Sequence, residues 1–290
     1  MSSALTADVT VVSVSYNSSD VLPTMLASVP DGVRVIIVDN GGNDTDTLKR
    51  LAVAHPFTLI ESAKNLGFGR ACNAGAAQAE TPLVLFLNPD AELADGALDA
   101  LLHAAETYGE ATAFNPLLEV APGRYYRKAK SRLVPQEAMR AAAEKPLQED
   151  TELPVLSGAA LLVRKTAFDA VGGFDPAIFL YFEDDDLTVR MREDGGRLMR
   201  VADAVVRHAG NQSTGSSIAA MKAKNYHWAR SRVYVSRKHR QPSAFLGAFT
   251  EGLKAVTRKE RFGEVQPVSA RAQLLWGALS TIRDGGVFHE

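Results

Sequence analysis

Only one cysteine, Cys72, occurs in 290 residues. A lone thiol excludes an intramolecular disulfide and any zinc cluster built on several thiolates, and it suits a reducing cytosol. Long apolar runs are missing as well. No stretch approaches the ~20 residues of a membrane span. Residues 1–8 have neither a basic start nor an apolar h-region, so no secretory signal is expected there, and the expected location is the cytoplasm. Strict phosphate-binding fingerprints are absent: residues 65–75 carry Gly67, Gly69 and Gly75, but in neither the dinucleotide nor the Walker spacing. The net charge of −2 argues against a uniformly basic surface, so no nucleic-acid partner is expected. Internal repeats and low-complexity tracts are also lacking.

What is present is a rhythm. Apolar strand-like runs at residues 9–14, 33–38, 57–60 and 83–87 alternate with helical patterns at 19–28, 45–54, 69–79 and 95–108, the last capped by Asp95. Near-continuous apolar strands alternating with helices predict an α/β fold, a Rossmann-like, mostly parallel sheet flanked by helices. Ligands bind such sheets beyond the carboxyl ends of the strands. Ser15-Tyr16-Asn17, Asp39-Asn40 and Asn88-Pro89-Asp90 stand at those ends. Residues 115–150 show little period and read as an irregular surface excursion. Residues 155–163, with Ser157 and Gly158, read as a strand. From Ile218 onward the tail reads as helical, with a weak seam of Met221, Trp228 and Val235.

Charge is unevenly spread. Residues 222–261 hold eleven Lys/Arg against two Glu, leaving the rest of the chain at −11. With Phe245, Leu246, Phe249, Leu253 and Val256 as an apolar face, this segment suits a helix lying on an anionic leaflet. It equally suits a solvated face. The densest acidic feature is Glu183-Asp184-Asp185-Asp186, directly after Phe179-Leu180-Tyr181-Phe182. Neighbouring carboxylates raise one another's pKa. Such a run is tolerated where a base, a metal or a polyol uses it, or where it opens a helix and gains from the N-terminal dipole. The helical pattern from Leu187, stopped by Gly195-Gly196, puts the acids in a first turn. Asp39 reads either as an acceptor for a nucleobase N–H or as a turn residue. Asp90 could hold a hard divalent cation. His208 gains interest only as its partner.

In this order, Val12-Ser13-Val14-Ser15-Tyr16-Asn17, Ile37-Val38-Asp39-Asn40, Asn65-Leu66-Gly67-Phe68-Gly69 and Phe86-Leu87-Asn88-Pro89-Asp90 resemble glycosyltransferase family 2, inverting enzymes of GT-A fold. Ser157-Gly158-Ala159-Ala160, Val171-Gly172-Gly173-Phe174-Asp175, Glu183-Asp184-Asp185-Asp186-Leu187 and His208 extend the match, which is nearest the bacterial rhamnosyltransferase-like branch. The resemblance implies a GT-A domain over residues 8–215, with a nucleotide-sugar half near 8–114 and an acceptor half near 151–215, followed by a helical extension over 216–290. It implies a donor site of Ser15, Tyr16, Asn17, Asp39, Asn65, Gly67, Phe68, Asn73, Asn88 and Asp90. Asp90 and His208 would hold Mg²⁺ or Mn²⁺ on the donor diphosphate. Asp184 would be the general base, its pKa raised by its acidic neighbours. Gly158, Glu183 and Asp186 would meet the acceptor. The donor implied is a dTDP- or UDP-sugar, with L-rhamnose suggested by the branch. The acceptor implied is a cell-surface glycan or glycolipid. Two departures stand out: Asn88 replaces the first carboxylate of an Asp-x-Asp, and Asn211 stands where glycine is common. A sugar-nucleotidyltransferase and an inactive glycan-binding relative remain alternatives.

Overall fold

The computed structural model describes residues 6–208, 217–257, 267–284 and 286–287. The expected rhythm is present as β1 (Val9–Ser15), α1 (Leu22–Ser28), β2 (Arg34–Asp39), α2 (Thr45–Ala54), β3 (Thr58–Glu61), α3 (Phe68–Ala77) and β4 (Leu83–Leu87). There follow β5 (Glu92–Leu93), α4 (Ala97–Thr107), β6 (Ala111–Ala121), β7 (Arg124–Tyr125), α5 (Gln136–Glu144), β8 (Thr151–Glu152), β9 (Ala160–Arg164) and α6 (Lys165–Ala170). The chain continues through α7 (Glu183–Glu193), β10 (Arg197–Arg207), α8 (Ile218–Lys238), α9 (Ala244–Thr257) and α10 (Val268–Asp284).

The sheet runs β3-β2-β1-β4-β9-β6-β10-β5. β3, β2, β1 and β4 pair in parallel, and β6 with β10 likewise, while β9 runs antiparallel between β4 and β6. The six principal strands therefore share one direction, and β9 begins at their carboxyl edge. The chain leaves β1 toward β2 and β3 and returns to β4 on β1's other side. That reversal is a topological switch point, where loops part and open a crevice.

β1 and β4 are buried along their whole length, which explains their uninterrupted apolar sequence. One face of the sheet packs on α1 and α4 through Leu22, Met25, Leu98 and Leu101. The other packs on α3, α6 and α7, with Phe86, Phe168 and Phe174 as an aromatic knot whose centroids lie 5.2–5.7 Å apart. Fully burying each ring is worth about 1.5–3 kcal/mol. Gly75 lets α3 touch the sheet: a Cβ there would lie 2.4 Å from Val12 Cγ1.

Three local expectations are corrected. Gly96, in a left-handed conformation with φ 74°, occupies the α4 cap expected for Asp95. Residues 115–150 are not simply irregular: they hold the second half of β6, the β6–β7 hairpin and α5. Their mixed pattern arises because β6 is covered on both faces only as far as Leu118. The strand expected at 155–163 starts only at Ala160, because Ser157 is held by the Asn115 side chain in a turn.

α8, α9 and α10 form a helical layer. Gly277 brings α10 against α8, where a Cβ would lie 2.3 Å from Tyr226 O, and Gly252 brings α9 against Leu275. Among the described residues no helix is long and apolar enough to cross a membrane.

Candidate active site

The loops after β1, β2 and β3 knit into one wall at the carboxyl edge. Ser15 and Asp39 are register partners. Asp39 is buried; its Oδ1 accepts from Gly42 N at 3.1 Å and its Oδ2 from Thr45 Oγ1. Asn17, with φ 54°, turns its Oδ1 to accept from Asn43 N at 2.7 Å. Asn40, which sequence reasoning left out, accepts from Leu66 N at 2.8 Å and donates to Asn65 Oδ1 at 3.1 Å. Asn65 Oδ1 in turn accepts from Gly67 N at 2.9 Å. Gly67 has φ 86°, and a Cβ there would lie 2.3 Å from Phe179 O, so glycine alone allows this approach. Phe68 N donates to that same carbonyl at 3.0 Å. Among the described residues the buried Ser15 hydroxyl has no hydrogen-bond partner, and Tyr16 is exposed beside it.

Asn73 does something else. Its Oδ1 accepts from Phe174 N at 2.9 Å and its Nδ2 donates to Phe174 O at 2.8 Å. Both ends of the amide clamp the Gly173–Phe174 turn, so the donor-binding assignment of Asn73 is corrected to a structural one.

Asn88 and Asp90 follow β4, and His208 follows β10. His208 Nε2 lies 3.3 Å from Asp90 Oδ1 and 3.4 Å from Asn88 Nδ2. Asp90's side chain is 1% exposed. A carboxylate and an imidazole so placed fit one divalent ion, since adjacent ligands of an octahedral ion at about 2.1 Å lie roughly 3 Å apart. Among the described residues no third His, Cys, Asp or Glu joins them. The donor set therefore suits an ion that takes its other ligands from a diphosphate and water. The Asn211 departure lies outside the described residues.

The four acids occupy the first turn of α7. Tyr181 and Phe182 before them both have φ 69°, a costly conformation for aromatic residues. Each acid has its own surroundings. Burial is the largest influence on Glu183 and, with the charge of Asp184 next, pushes its carboxyl up to about 8. Its Oε2 is buried without a partner. Burial also acts to raise Asp184, but the Lys128 charge and hydrogen bonds outweigh it and hold the group below the usual range. Asp184 Oδ2 accepts from Lys128 Nζ at 2.8 Å and Gly158 N at 3.0 Å, and Oδ1 accepts from Asp185 N at 2.8 Å. The expectation of a raised Asp184 is thus overturned, because an inserted lysine outweighs the neighbouring acids. Asp185 pairs with Lys128 at 2.5 Å and accepts from Ser131 Oγ at 2.6 Å.

Asp186 is fully buried. Arg190 reaches it at 2.8 Å, Lys238 at 2.7 Å and His239 at 2.8 Å. Burial opposes ionisation, yet the His239, Arg190 and Lys238 contacts bring its pKa down to about 2. An acid so enclosed cannot meet an acceptor, and that assignment is corrected: Asp186 ties α7 to the end of α8. Tyr234 and Lys238 add bonds to Asp175, at 2.9 and 2.6 Å. Ser231 donates to Leu180 O at 2.8 Å, and His227 stacks on Phe179 with centroids 4.1 Å apart. The helix from Ile218 was expected, but Lys128, His239 and the anchoring of the acids by α8 are what sequence reading missed. No spacing links them to the acids, and only charge balance could have flagged them.

The switch-point topology, the Asp90–His208 pair after β4 and β10 and the carboxylate cluster opening α7 are the parts of a glycosyltransferase of GT-A fold. The solved structures agree on the fold. GalNAc-T7 with UDP, GalNAc and Mn²⁺ matches at TM-score 0.59 and 15% identity over 96% of this chain, which spans 57% of that chain. A Pyrobaculum calidifontis mannosyltransferase with GDP-Man and Mn²⁺ matches at 0.57 and 18% identity, covering 95% and 74%. S. aureus TarS residues 1–349 with UDP match at 0.54 and 17% identity, covering 96% and 92%.

The chain belongs to glycosyl transferase family 2, whose model matches residues 10–172. The glycosyl transferase family 21 model matches residues 148–284. N-acetylglucosaminyl-diphospho-decaprenol L-rhamnosyltransferase of Mycobacterium tuberculosis is 32% identical over 260 residues, 79% of this chain and 84% of the relative.

Proposed function

We propose that this family 2 glycosyltransferase moves a sugar, L-rhamnose by likeness to the mycobacterial relative, from a nucleoside-diphosphate donor to a lipid-linked glycan, with inversion. The approach of Asp90 and His208 to 3.3 Å carries the reading, because two residues 118 apart meet where a donor diphosphate would lie. When bound there, Mg²⁺ or Mn²⁺ supplies a charge sink for the departing diphosphate. Asp39, Ser15, Tyr16 and Asn17 line the nucleoside side, and Asn65, Gly67 and Phe68 shape its wall. Asn88 orients His208.

Asp184 receives the proton of the attacking hydroxyl. Its Oδ1 has the spare acceptor capacity, since Oδ2 already takes two donors. Its lowered pKa keeps it ionised and ready at neutral pH. Glu183, protonated in the same range, offers an O–H to the acceptor, with Gly158 beside it. Asp90→Ala should abolish Mn²⁺-dependent binding of the nucleotide sugar while the melting temperature without ligands stays put. Metal-independent binding of wild-type affinity in that variant would sink the assignment.

We also propose a cytoplasmic enzyme, with a GT-A domain up to residue 215 and a helical extension that touches a membrane surface. Arg230, Arg232 and Lys238 of the basic segment are spent on Asp284, Glu251 and Asp186. Exposed Leu246 and Leu253 of α9, near Lys254, are left to carry the contact. Residues 258–261 of that segment lie outside the described residues. Equal co-sedimentation with neutral and anionic vesicles would exclude it.

A further inference from the structure

Next to the catalytic carboxylates lies a region that the proposed reaction leaves unused. Between Glu119 and Glu137 the chain has five cations and no acid: Arg124, Arg127, Lys128, Lys130 and Arg132. Arg124, Arg127 and Lys130 are exposed. Arg127 and Lys128 also line a cavity of about 40 Å³, whose wall includes Tyr126, Ser157 and Arg200 among apolar residues. No carboxylate lines it. Its volume admits roughly three water-sized atoms, the size of a phosphoryl group's oxygens.

Arg200 is the second observation. It is 7% exposed, and among the described residues no ion pair holds it. Nη2 donates to Pro146 O and to Thr151 Oγ1 at 3.1 Å, whereas Nε is buried with no hydrogen-bond partner among the described residues. A guanidinium is charged at any working pH, and a buried N–H of a charged group left unmade is costly. Asp150 acts on it through charge without a hydrogen bond, and Arg127 brings a like charge that outweighs it. An anion would satisfy both.

We propose that this cavity, with the basic strip at its mouth, is a subsite for the phosphate or diphosphate group of the acceptor. Lys128 fixes the geometry. It lines the cavity while its ammonium is held by Asp184 at 2.8 Å, Asp185 at 2.5 Å and Leu156 O at 3.0 Å, so one side chain joins the cavity wall to the proposed base. A glycosyl phosphate presents its phosphorus and its reacting hydroxyl on opposite sides of one sugar ring. Such a molecule spans the two positions, and the exposed strip takes the part of the diphosphate nearer the lipid. The inference rests on the reading of Asp184 as the base of a glycosyl transfer, and it adds to that reading a requirement on the acceptor's charge.

Two synthetic acceptors test it, both N-acetylglucosamine on the same short alkyl chain, one joined through a diphosphate and one through an ether. Charge-assisted hydrogen bonds from two arginines predict a kcat/KM at least about 10-fold higher for the diphosphate acceptor, expressed in KM. Arg127→Gln and Arg200→Gln should each lower that ratio, and together bring it close to one. Added salt should lower it for the wild type. The ratio is taken on one preparation, so partial misfolding of an Arg200 variant cancels, and exposed Arg127 supplies a milder variant. Release of nucleoside diphosphate is followed in the same assay. Turnover with equal kcat/KM for both acceptors, or a ratio unmoved by both substitutions, overturns the subsite and leaves the glycosyltransferase reading standing. No turnover of any nucleotide sugar with either acceptor overturns both.

Discussion

On the nucleoside side, polar residues find their partners within the loops after β1, β2 and β3, at most 27 positions away in the chain. Asp39 is held by Gly42 and Thr45, and Asn65 by Gly67. Around α7 the partners come from far away: Lys128 for Asp184, Ser131 for Asp185, and Lys238 with His239 for Asp186. A locally bonded loop keeps its shape by itself. A row of four carboxylates cannot, because like charges crowd in one helical turn, and cations must be brought in from elsewhere. The donor wall is thus a property of short segments, and the acid cluster a property of the assembled fold.

Substitutions that remove charge from the assembled side should therefore cost most. Asp184→Asn keeps the shape and removes the proposed base; transfer should fall on the order of 10²–10⁴-fold, with nucleotide-sugar affinity unchanged. Near-wild-type transfer in that variant, with Glu183→Gln inactive, would move the role to Glu183. In the same assay Lys128→Met should shift the acid limb of the kcat profile to higher pH, since the charge that lowers Asp184 is gone. An unmoved limb would separate Lys128 from the proton transfer.

Asp186→Asn should destabilise the fold by about 2–4 kcal/mol at neutral pH, because Arg190 and Lys238 lose a buried counter-charge and His239 a hydrogen-bond partner, and chemical denaturation measures it. Its folded pKa of about 2 lies below the ordinary 3.8. That stabilisation is therefore full above about pH 4 and is lost as pH falls toward 2, worth about 2 kcal/mol, and the asparagine variant should lack this acid slope. The smallest effect belongs to the local side. Thr45→Val removes one of several bonds around Asp39 and should cost about 0.5–1.5 kcal/mol. A loss as large as that of Asp186→Asn would break the contrast.

The same contrast explains what could be read from the chain. β1, β2 and β4 were legible because buried strands must be apolar, and the acids were legible as a first helical turn because Leu187 onward carries a helical pattern. Asp90 and His208 were joined only by resemblance, as nothing in 118 residues of intervening chain says they meet. Asn73 misled because a short amide on a helix looks alike whether it faces a ligand or a turn 101 residues away. Lys128 was hidden inside a stretch with no period, since its position is set by β6 and α5 rather than by its neighbours. Asp186 misled because Lys238 and His239, two of its three partners, lie beyond the segment that carries the family's pattern.

The clasp between Asp186 and His239 has a consequence in time. A chain leaving the ribosome exposes α7 first and completes α8 only 53 residues later. At ~5–20 residues per second that interval is roughly 3–10 s. During it the strand order can close around Phe174, but the start of α7 carries an acid whose partners have not been made. The nascent domain would pass through a stage with its sheet formed and its acidic helix still short of Lys238 and His239. Competence arrives late, with the last turn of α8.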